Sequence, residues 1–123
     1  MSDRTPTPTE LNYHQRSRML EISFDSGEHY ELSAEYLRVY SPSAEVRGHG
    51  PGQEVLQVSK EDVKISHIEP EGNYAVCLHF DDGHNTGIYS WEELYRLGAN
   101  QERNWKEYLD RLKASGHERK VAG

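Results

Sequence analysis

The chain has 123 residues, which is the usual size of one domain with a single core. Only 34% of the residues are hydrophobic, and 21 acidic against 14 basic residues give a net charge of −7. This charge disfavours nucleic acid and anionic lipid as ligands, because phosphate neutralisation supplies much of that affinity. A single cysteine excludes an internal disulfide, and no apolar run approaches the roughly 20 residues of a membrane helix. We therefore expect a cytoplasmic domain that binds neither nucleic acid nor membrane.

The first predicted unit runs from a strand through a tight turn to a helix. Leu20 to Phe24 alternates apolar and polar residues, as a half-buried strand does. Asp25-Ser26-Gly27 is typical of a tight turn, and residues 30–32 resume the alternation on a returning strand. Ser33 is the predicted N-cap of a short helix over Ala34–Val39.

The same succession recurs in the second half of the chain. Val76 to Phe80 alternates in the same way, and Asp81-Asp82-Gly83 repeats the turn. Ser90 is the predicted N-cap of a second helix over Trp91–Leu97, with Gly98 as its C′ residue. The chain therefore contains a duplicated strand–turn–strand–helix unit.

The two copies differ in length by one residue. Their strands and turns match at an offset of 56, whereas their helices match at an offset of 57. A one-residue shift would move strand side chains to the opposite face, so we predict a bulge or kink near Gly87. Two copies are too few for a solenoid. The predicted fold is α+β, with a twisted, mainly antiparallel sheet built from two units that share one core.

Further elements lie before, between and after the units. A strand is predicted at Leu11–His14, and a long loop over Ser41–Lys60. A further strand is predicted at Val63–Ile68, and Pro70-Glu71-Gly72-Asn73 joins it to the next strand. Residues 11–116 are expected to form the single domain, with disordered tails at residues 1–10 and 117–123.

A final helix is predicted over Gln101–Ser115, with Asn100 as its N-cap and Gly116 as its stop. One side of it carries an apolar stripe with helical spacing, formed by Trp105, Tyr108, Leu109 and Leu112. The stripe predicts a helix packed on the sheet, and a partner-binding helix is the alternative.

Few residues suggest chemistry. Cys77 and His79 share one face of a predicted strand and are suitable ligands for zinc or iron, but the sequence offers no second ligand pair. The alternative for Cys77 is a small buried hydrophobic residue. Ser41 and Ser43 flank a proline and lack the strand–turn–helix context of a hydrolase serine. A non-enzymatic protein is therefore expected.

Three stretches resemble a known family. They are Leu37 to Val46 followed by Gly48-His49-Gly50, Gly72 to Val76, and Phe80 to Trp91. They look like the small bacterial DUF971 proteins, which are similar to the N-terminal domain of γ-butyrobetaine hydroxylase and trimethyllysine hydroxylase. The resemblance covers roughly residues 11–112.

The resemblance implies a zinc site that this chain has largely lost. In the hydroxylases the domain precedes an iron- and 2-oxoglutarate-dependent oxygenase domain, and it holds a structural zinc with a Cys-Pro-Cys-x-x-Cys segment and one histidine. The same module is also found fused to P-loop ATPases that carry iron–sulfur clusters. The cysteine positions fall on Ser41, Ser43 and Val46, and the histidine position falls on His84. Zinc is expected to be absent, no cofactor is expected, and hydroxylase activity is not inherited without the oxygenase domain.

The residues near that former site are the candidate surface, and they are Ser41, Ser43, Glu45, Arg47, His49 and His84. Hydrogen bonds that replace the zinc, a surface for a partner or ligand, and a weak metal site through His84, His49 and Glu45 are the three alternatives. We expect a monomeric, non-enzymatic binding module that contacts a protein partner, with a metal-binding (iron or zinc) protein as the alternative function.

Overall fold

The computed structural model describes residues 5–48 and 52–119. Within them, two antiparallel sheets form, with strand orders β1-β2-β3 and β4-β5-β6, which we name sheet A and sheet B. The predicted α+β class is confirmed, and the structure divides the predicted sheet into two. The elements in chain order are β1 (Pro8–His14), β2 (Met19–Phe24), β3 (His29–Ser33), α1 (Ala34–Val39), α2 (Ala44–Arg47), β4 (Ile65–Glu71), β5 (Ala75–Phe80), β6 (Ile88–Ser90), α3 (Trp91–Ala99) and α4 (Gln101–Ala114).

The two units share one hydrophobic core. The alternation of apolar residues turns one side of β2 and one side of β5 inward, and the helices α1 and α3 add their buried faces. Residues from both units therefore belong to a single buried cluster, as predicted. The strand residues at equivalent positions in it are Leu20, Ile22 and Phe24 of β2, and Val76, Leu78 and Phe80 of β5.

The two turns have the same backbone geometry. The amide of Phe24 donates to the carbonyl of Glu28 over 2.9 Å, and the amide of Phe80 donates to the carbonyl of His84 over 2.9 Å. The turn glycines have φ angles of 103° and 91°, which residues with a side chain rarely adopt. The predicted duplication thus extends to the backbone hydrogen bonds.

The inserted residue lies outside the strands. It falls in an irregular segment, residues 84–87, between the second turn and β6, and the register of β5 with β6 is regular. The predicted bulge near Gly87 is confirmed: the amide of Phe80 bonds the carbonyl of His84 and the amide of Leu78 bonds that of Gly87, so two residues lie opposite one. Gly87 also meets a second need. A Cβ atom there would lie 2.4 Å from the Ser41 hydroxyl oxygen, so glycine permits the close approach of that serine.

Both predicted serine caps are present. The Ser33 hydroxyl accepts a hydrogen bond from the Tyr36 amide over 3.0 Å, and the Ser90 hydroxyl accepts one from the Glu93 amide over 3.1 Å. Each serine satisfies one amide that the first turn of its helix leaves without an intrahelical partner.

Two other helix-end predictions are only partly right: α3 ends later than predicted, and Asn100 is the N-cap of α4 by position but not through its side chain. Gly98 does not end α3, which continues to Ala99; a Cβ atom at this position would lie 2.3 Å from the Tyr30 ring, so the glycine allows close packing against β3. Asn100 does not cap α4 with its side chain. Its amide nitrogen instead donates to the Arg96 carbonyl over 3.0 Å and satisfies the end of α3.

Several predicted boundaries also move. The loop predicted over Ser41–Lys60 contains α2. The strand predicted at Val63–Ile68 begins later and continues through Pro70 to Glu71. Proline is tolerated there because β4 is an edge strand of its sheet.

The ordered domain is longer than predicted at both ends. Residues 8–10, assigned to a tail, form the beginning of β1. Arg119, assigned to the other tail, donates to both carboxylate oxygens of Glu35. Residues 1–4 and 120–123 of the predicted tails lie outside the described residues.

The apolar stripe of α4 packs on α1 and on the segment of residues 56–58. Tyr108 and Leu112 are buried together with Val39 of α1, and the Tyr108 hydroxyl donates to the Gln57 carbonyl over 2.7 Å. Within the described part of the chain, no helix is both long and apolar enough to cross a bilayer.

Candidate functional site

The connection from α1 to α2 holds two serines in place. Ser43 is the N-cap of α2, and its hydroxyl accepts a hydrogen bond from the Glu45 amide over 3.2 Å. Ser41 is fully buried, and its hydroxyl accepts a hydrogen bond from the Ser43 amide over 3.2 Å. The Ser43 hydroxyl also bonds the Thr86 hydroxyl over 2.7 Å, which ties this connection to the segment after the second turn.

His84 occupies the centre of the predicted site. Its Nε2 atom lies 2.8 Å from the Ser41 hydroxyl, and its Nδ1 atom lies 3.0 Å from a carboxylate oxygen of Glu45. Its backbone amide donates to the Asp82 carboxylate over 3.1 Å. We name Ser41, Ser43, Glu45 and His84 the His84 cluster, and the structure thus brings together four of the six predicted surface residues.

Burial determines the charge of His84, and its hydrogen bond with Glu45 determines the tautomer. Burial lowers the pKa of His84, and the positive charge of Arg38 lowers it further, against the opposing effect of Glu45. The imidazole is therefore neutral at pH 7. Because a carboxylate only accepts hydrogen bonds, Nδ1 carries the hydrogen and donates to Glu45. Nε2 then accepts from the Ser41 hydroxyl.

The order of hydroxyl, imidazole and carboxylate is that of a hydrolytic triad. A nucleophile must reach its substrate, however, and Ser41 has 0% of its surface exposed. Gly87 is packed against its hydroxyl, as described above. The geometry therefore gives these three residues the role of a hydrogen-bonded tie between α2 and the segment after the second turn.

The His84 cluster does not fit the zinc of the hydroxylase domain. Serine hydroxyls are poor zinc ligands and Val46 offers none. Both ring nitrogens of His84 already have hydrogen-bond partners. Among the described residues, every buried side-chain nitrogen and oxygen atom has a partner, so no unsatisfied buried atom of the cluster marks a place for an ion.

The predicted surface is therefore smaller than the sequence indicated. Glu45 and Arg47 are exposed, with 64% and 49% of their side-chain surface accessible, whereas the two serines and the histidine of the cluster are buried. Arg47 points away from the cluster and pairs with Glu93 of α3, which also binds Arg96. His49 lies outside the described residues.

Sequence reasoning missed an ion-pair network beneath the cluster. Arg38 donates to Asp82 over 2.9 Å and to Gln57 over 2.9 Å, and Lys60 donates to Asp82 over 2.7 Å. Burial raises the pKa of Asp82, but hydrogen bonds from Lys60 and the His84 amide and the charge of Arg38 lower it to about 2. A signal was present, because Arg38 lies in one of the stretches that carry the family resemblance.

A groove of about 560 Å³ lies beside the His84 cluster, bounded by α1, α2, residues 54–57 and α4. We name it the α2 groove. Its surface is mostly apolar, and Arg47, Glu54 and Arg111 bring charge to it. The apolar side chains that line it are those of Val39, Val46, Val55, Leu56 and Tyr108.

A second polar cluster lies on the outer face of sheet B. The register of β4 and β5 sets Glu69 opposite Cys77 and His67 opposite His79. The predicted shared face of Cys77 and His79 is confirmed, and Glu69 joins them: one ligand atom from each of the three lies within 4.8 Å of the others. Glu69 was missed because the strand was predicted to end at Ile68.

These features define a class: a small α+β domain of two related units on one core, with the hydrogen-bonded His84 cluster beside the second turn. The chain belongs to the gamma-butyrobetaine hydroxylase-like, N-terminal family, whose model matches residues 11–95. This confirms the resemblance inferred from the sequence. A search of the curated proteins finds no match.

Solved structures agree in fold. One NMR solution structure has 54% sequence identity and a TM-score of 0.81. The alignment covers 97% of this chain and 89% of the chain in that structure. A second NMR structure is 38% identical, with 98% of each chain covered and a TM-score of 0.81. The crystal structure of a DUF971 protein of unknown function from Acidithiobacillus ferrooxidans ATCC 23270 is 40% identical. It covers 80% of this chain and 99% of its own, with a TM-score of 0.66.

Proposed function

We propose that the chain is a small non-enzymatic binding module that contacts a protein partner through the α2 groove. The observation that supports this proposal is the groove itself, an open and mostly apolar space of about 560 Å³. Val55 at its edge has 53% of its surface exposed, although it is a large hydrophobic residue. An exposed apolar patch flanked by charges is typical of an interaction site.

The charges favour a partner segment that combines apolar and acidic side chains. Arg47 and Arg111 line the groove. Arg47 already pairs with Glu93, so we expect Arg111 to bind a carboxylate of the partner, which an arginine can do through two parallel hydrogen bonds. The apolar surface between the two arginines suits one or two hydrophobic side chains as anchors. Because the chain itself carries a net charge of −7, it repels acidic partners in general, and the arginines favour the approach of an acidic segment at the groove.

The His84 cluster supports the groove from behind. α2 has only four residues, so it depends on contacts outside itself to keep its position. Its N-cap Ser43 and its first-turn Glu45 are both bonded to the segment after the second turn. In this proposal hydrogen bonds replace the structural zinc, no cofactor is required, and the module acts as a cytoplasmic monomer.

Affinity capture from cell extract tests the proposal. We expect Val55→Glu and Arg111→Glu each to remove a partner that the unchanged chain captures, because one adds a charge to the apolar surface and the other reverses a charge. Ile88→Glu is the matched control: Ile88 is also an exposed hydrophobic residue, with 48% of its surface accessible, but it lies on β6. Its capture should be unchanged.

The captured partner is then purified and titrated against the same variants. A partner that binds Val55→Glu and Arg111→Glu as tightly as the unchanged chain would overturn the α2 groove as the interface. Capture of no specific protein at all would contradict the partner-binding function.

Binding of iron or zinc is the second candidate function. The His84 cluster offers little support for it, because serine hydroxyls are poor ligands and Val46 has none to offer. The observation that favours it is the group of Glu69, Cys77 and His79 on the outer face of sheet B.

A further inference from the structure

The outer face of sheet B places three kinds of metal-binding side chain together. Cys77 and His79 alternate with the core residues Val76, Leu78 and Phe80 on β5, so both lie on the face away from the core, where Cys77 is 5% exposed. Glu69 of β4 lies directly opposite Cys77. The Nε2 atom of His79 is 3.3 Å from a carboxylate oxygen of Glu69. Two rigid neighbouring strands therefore set the spacing of the three ligand atoms.

These donors match the preference of one class of metal ion. A thiolate, an imidazole and a carboxylate are the three side-chain ligands that zinc takes in proteins, usually with four ligands arranged as a tetrahedron. The hard cations calcium and magnesium prefer oxygen ligands alone and would not select this set. The ligand atoms of Glu69, Cys77 and His79 lie within 4.8 Å of one another. Ligand atoms on one zinc ion lie about 3.3 to 3.8 Å apart, so the side chains must move by about 1 Å to bind it.

We propose that Glu69, Cys77 and His79 bind one zinc ion on the outer face of sheet B. The fourth position faces solvent and takes a water molecule, with His67 beside it: the rings of His67 and His79 have centroids 5.2 Å apart. On binding, the Cys77 thiol releases its proton to solvent and gives up its contact with the Asn85 carbonyl, which is 3.2 Å away. The hydrogen bond between His79 and Glu69 is replaced by their bonds to the metal.

The site is distinct from the zinc position of the hydroxylase domain, which corresponds to the His84 cluster. It is also distinct from the α2 groove, so it does not depend on the proposed partner. The first unit provides an internal comparison. The residue of sheet A equivalent to Cys77 is Glu21, which lies in an exposed group with His29 and Glu31 that contains no sulfur.

Cobalt(II) titration of the full chain tests the proposal, because a cobalt–thiolate bond gives a charge-transfer absorption that carboxylates and imidazoles do not. We expect one equivalent of cobalt to bind with this absorption and one equivalent of zinc to displace it. Cys77→Ala should abolish the absorption. His79→Ala and Glu69→Gln should each weaken binding at least tenfold.

Two variants serve as matched controls. Glu21→Gln changes the equivalent group on sheet A, and His84→Ala removes the imidazole of the former zinc frame; both should bind cobalt as the unchanged chain does. Circular dichroism confirms the fold of each variant, and His79→Ala and Glu69→Gln keep the test valid if Cys77→Ala does not fold. Absence of the thiolate absorption in the unchanged chain would overturn the proposal, as would equal binding by His79→Ala and Glu69→Gln. Loss of binding in either control would do the same.

Discussion

The two units build the same strand, turn and helix, yet their turns end in different residues with different roles. Glu28 follows the first turn at a half-buried position, where its carboxylate accepts hydrogen bonds from Ser26 and from the Tyr95 hydroxyl. His84 follows the second turn at the equivalent position and is buried between Ser41 and Glu45. The same backbone conformation therefore forms only a hairpin in the first unit, whereas in the second unit it also supports α2.

The inserted residue makes this difference possible. In the first unit the chain passes from the turn directly into β3, whereas in the second unit the irregular segment of residues 84–87 comes before β6. In that segment the Thr86 hydroxyl bonds the Ser43 hydroxyl, and Gly87 packs closely against the Ser41 hydroxyl. A single extra residue thus adds a set of contacts through a local bulge, and the register of β5 with β6 stays regular.

The largest expected effect tests what the copies share. Ile22→Ala and Leu78→Ala remove fully buried side chains at equivalent positions of one core, so each should lower the free energy of unfolding by about 2–5 kcal/mol. Urea denaturation should retain a single transition in both variants. Two separate transitions would show that the units unfold independently.

The next effect tests where the copies differ. His84→Ala removes the partner of the buried Ser41 hydroxyl and should lower the free energy of unfolding by about 1–3 kcal/mol. Glu28→Ala at the equivalent turn should cost no more than about 1 kcal/mol, because it removes hydrogen bonds from Ser26 and Tyr95, which are not fully buried and can bond water instead. Equal losses in the two variants, measured by urea denaturation at pH 7.5, would contradict the supporting role of the His84 cluster.

The helix caps should behave alike in the two copies. Ser33→Ala and Ser90→Ala each leave one helix amide without its side-chain partner, which costs about 1 kcal/mol. Thermal or urea denaturation gives both values. Ser23→Ala, which changes a serine on β2 away from any helix end, is the control for serine replacement. A loss in only one copy would show that the helices do not have equivalent roles.

The smallest effect is a difference in the pH dependence of stability. The pKa of His84 is lower in the folded protein than its ordinary value of 6.5, so the unfolded chain takes up a proton first as the pH falls. This contribution is fully present above about pH 6.5 and is lost as the pH falls through that value. Unfolding curves between about pH 7.5 and 5.5 should therefore decline less for His84→Gln than for the unchanged chain. Parallel curves would contradict a buried neutral imidazole.

Much of the fold could be predicted because its signals are local. The alternation in β2 and β5, the turn sequences and the serine caps each depend on a few consecutive residues, and the duplication repeated every signal. The roles of the Gly98 backbone and the Asn100 side chain were predicted incorrectly, because local rules favour glycine and asparagine at helix ends. Only the tertiary structure shows that Gly98 packs against Tyr30 and that the Asn100 side chain bonds the Arg96 carbonyl.

The sites depended on information that the sequence does not carry locally. The family resemblance placed His84 beside Ser41 and Ser43. It did not show that these three residues are buried, because burial follows from tertiary packing. Among the described residues of the predicted surface, only Glu45 and Arg47 are exposed. Glu69 joins Cys77 and His79 only through the register of β4 with β5, which no local pattern specifies.

The shared core has a consequence for how the chain reaches its fold. Each unit has an apolar sheet face that the other unit helps to cover, so folding is in effect the association of two halves joined by residues 41–60. That connection acts as a tether and gives each half a high effective concentration of the other. Two separate fragments cut within it would lose this advantage, and their recombination would depend on protein concentration in the manner of a dimer.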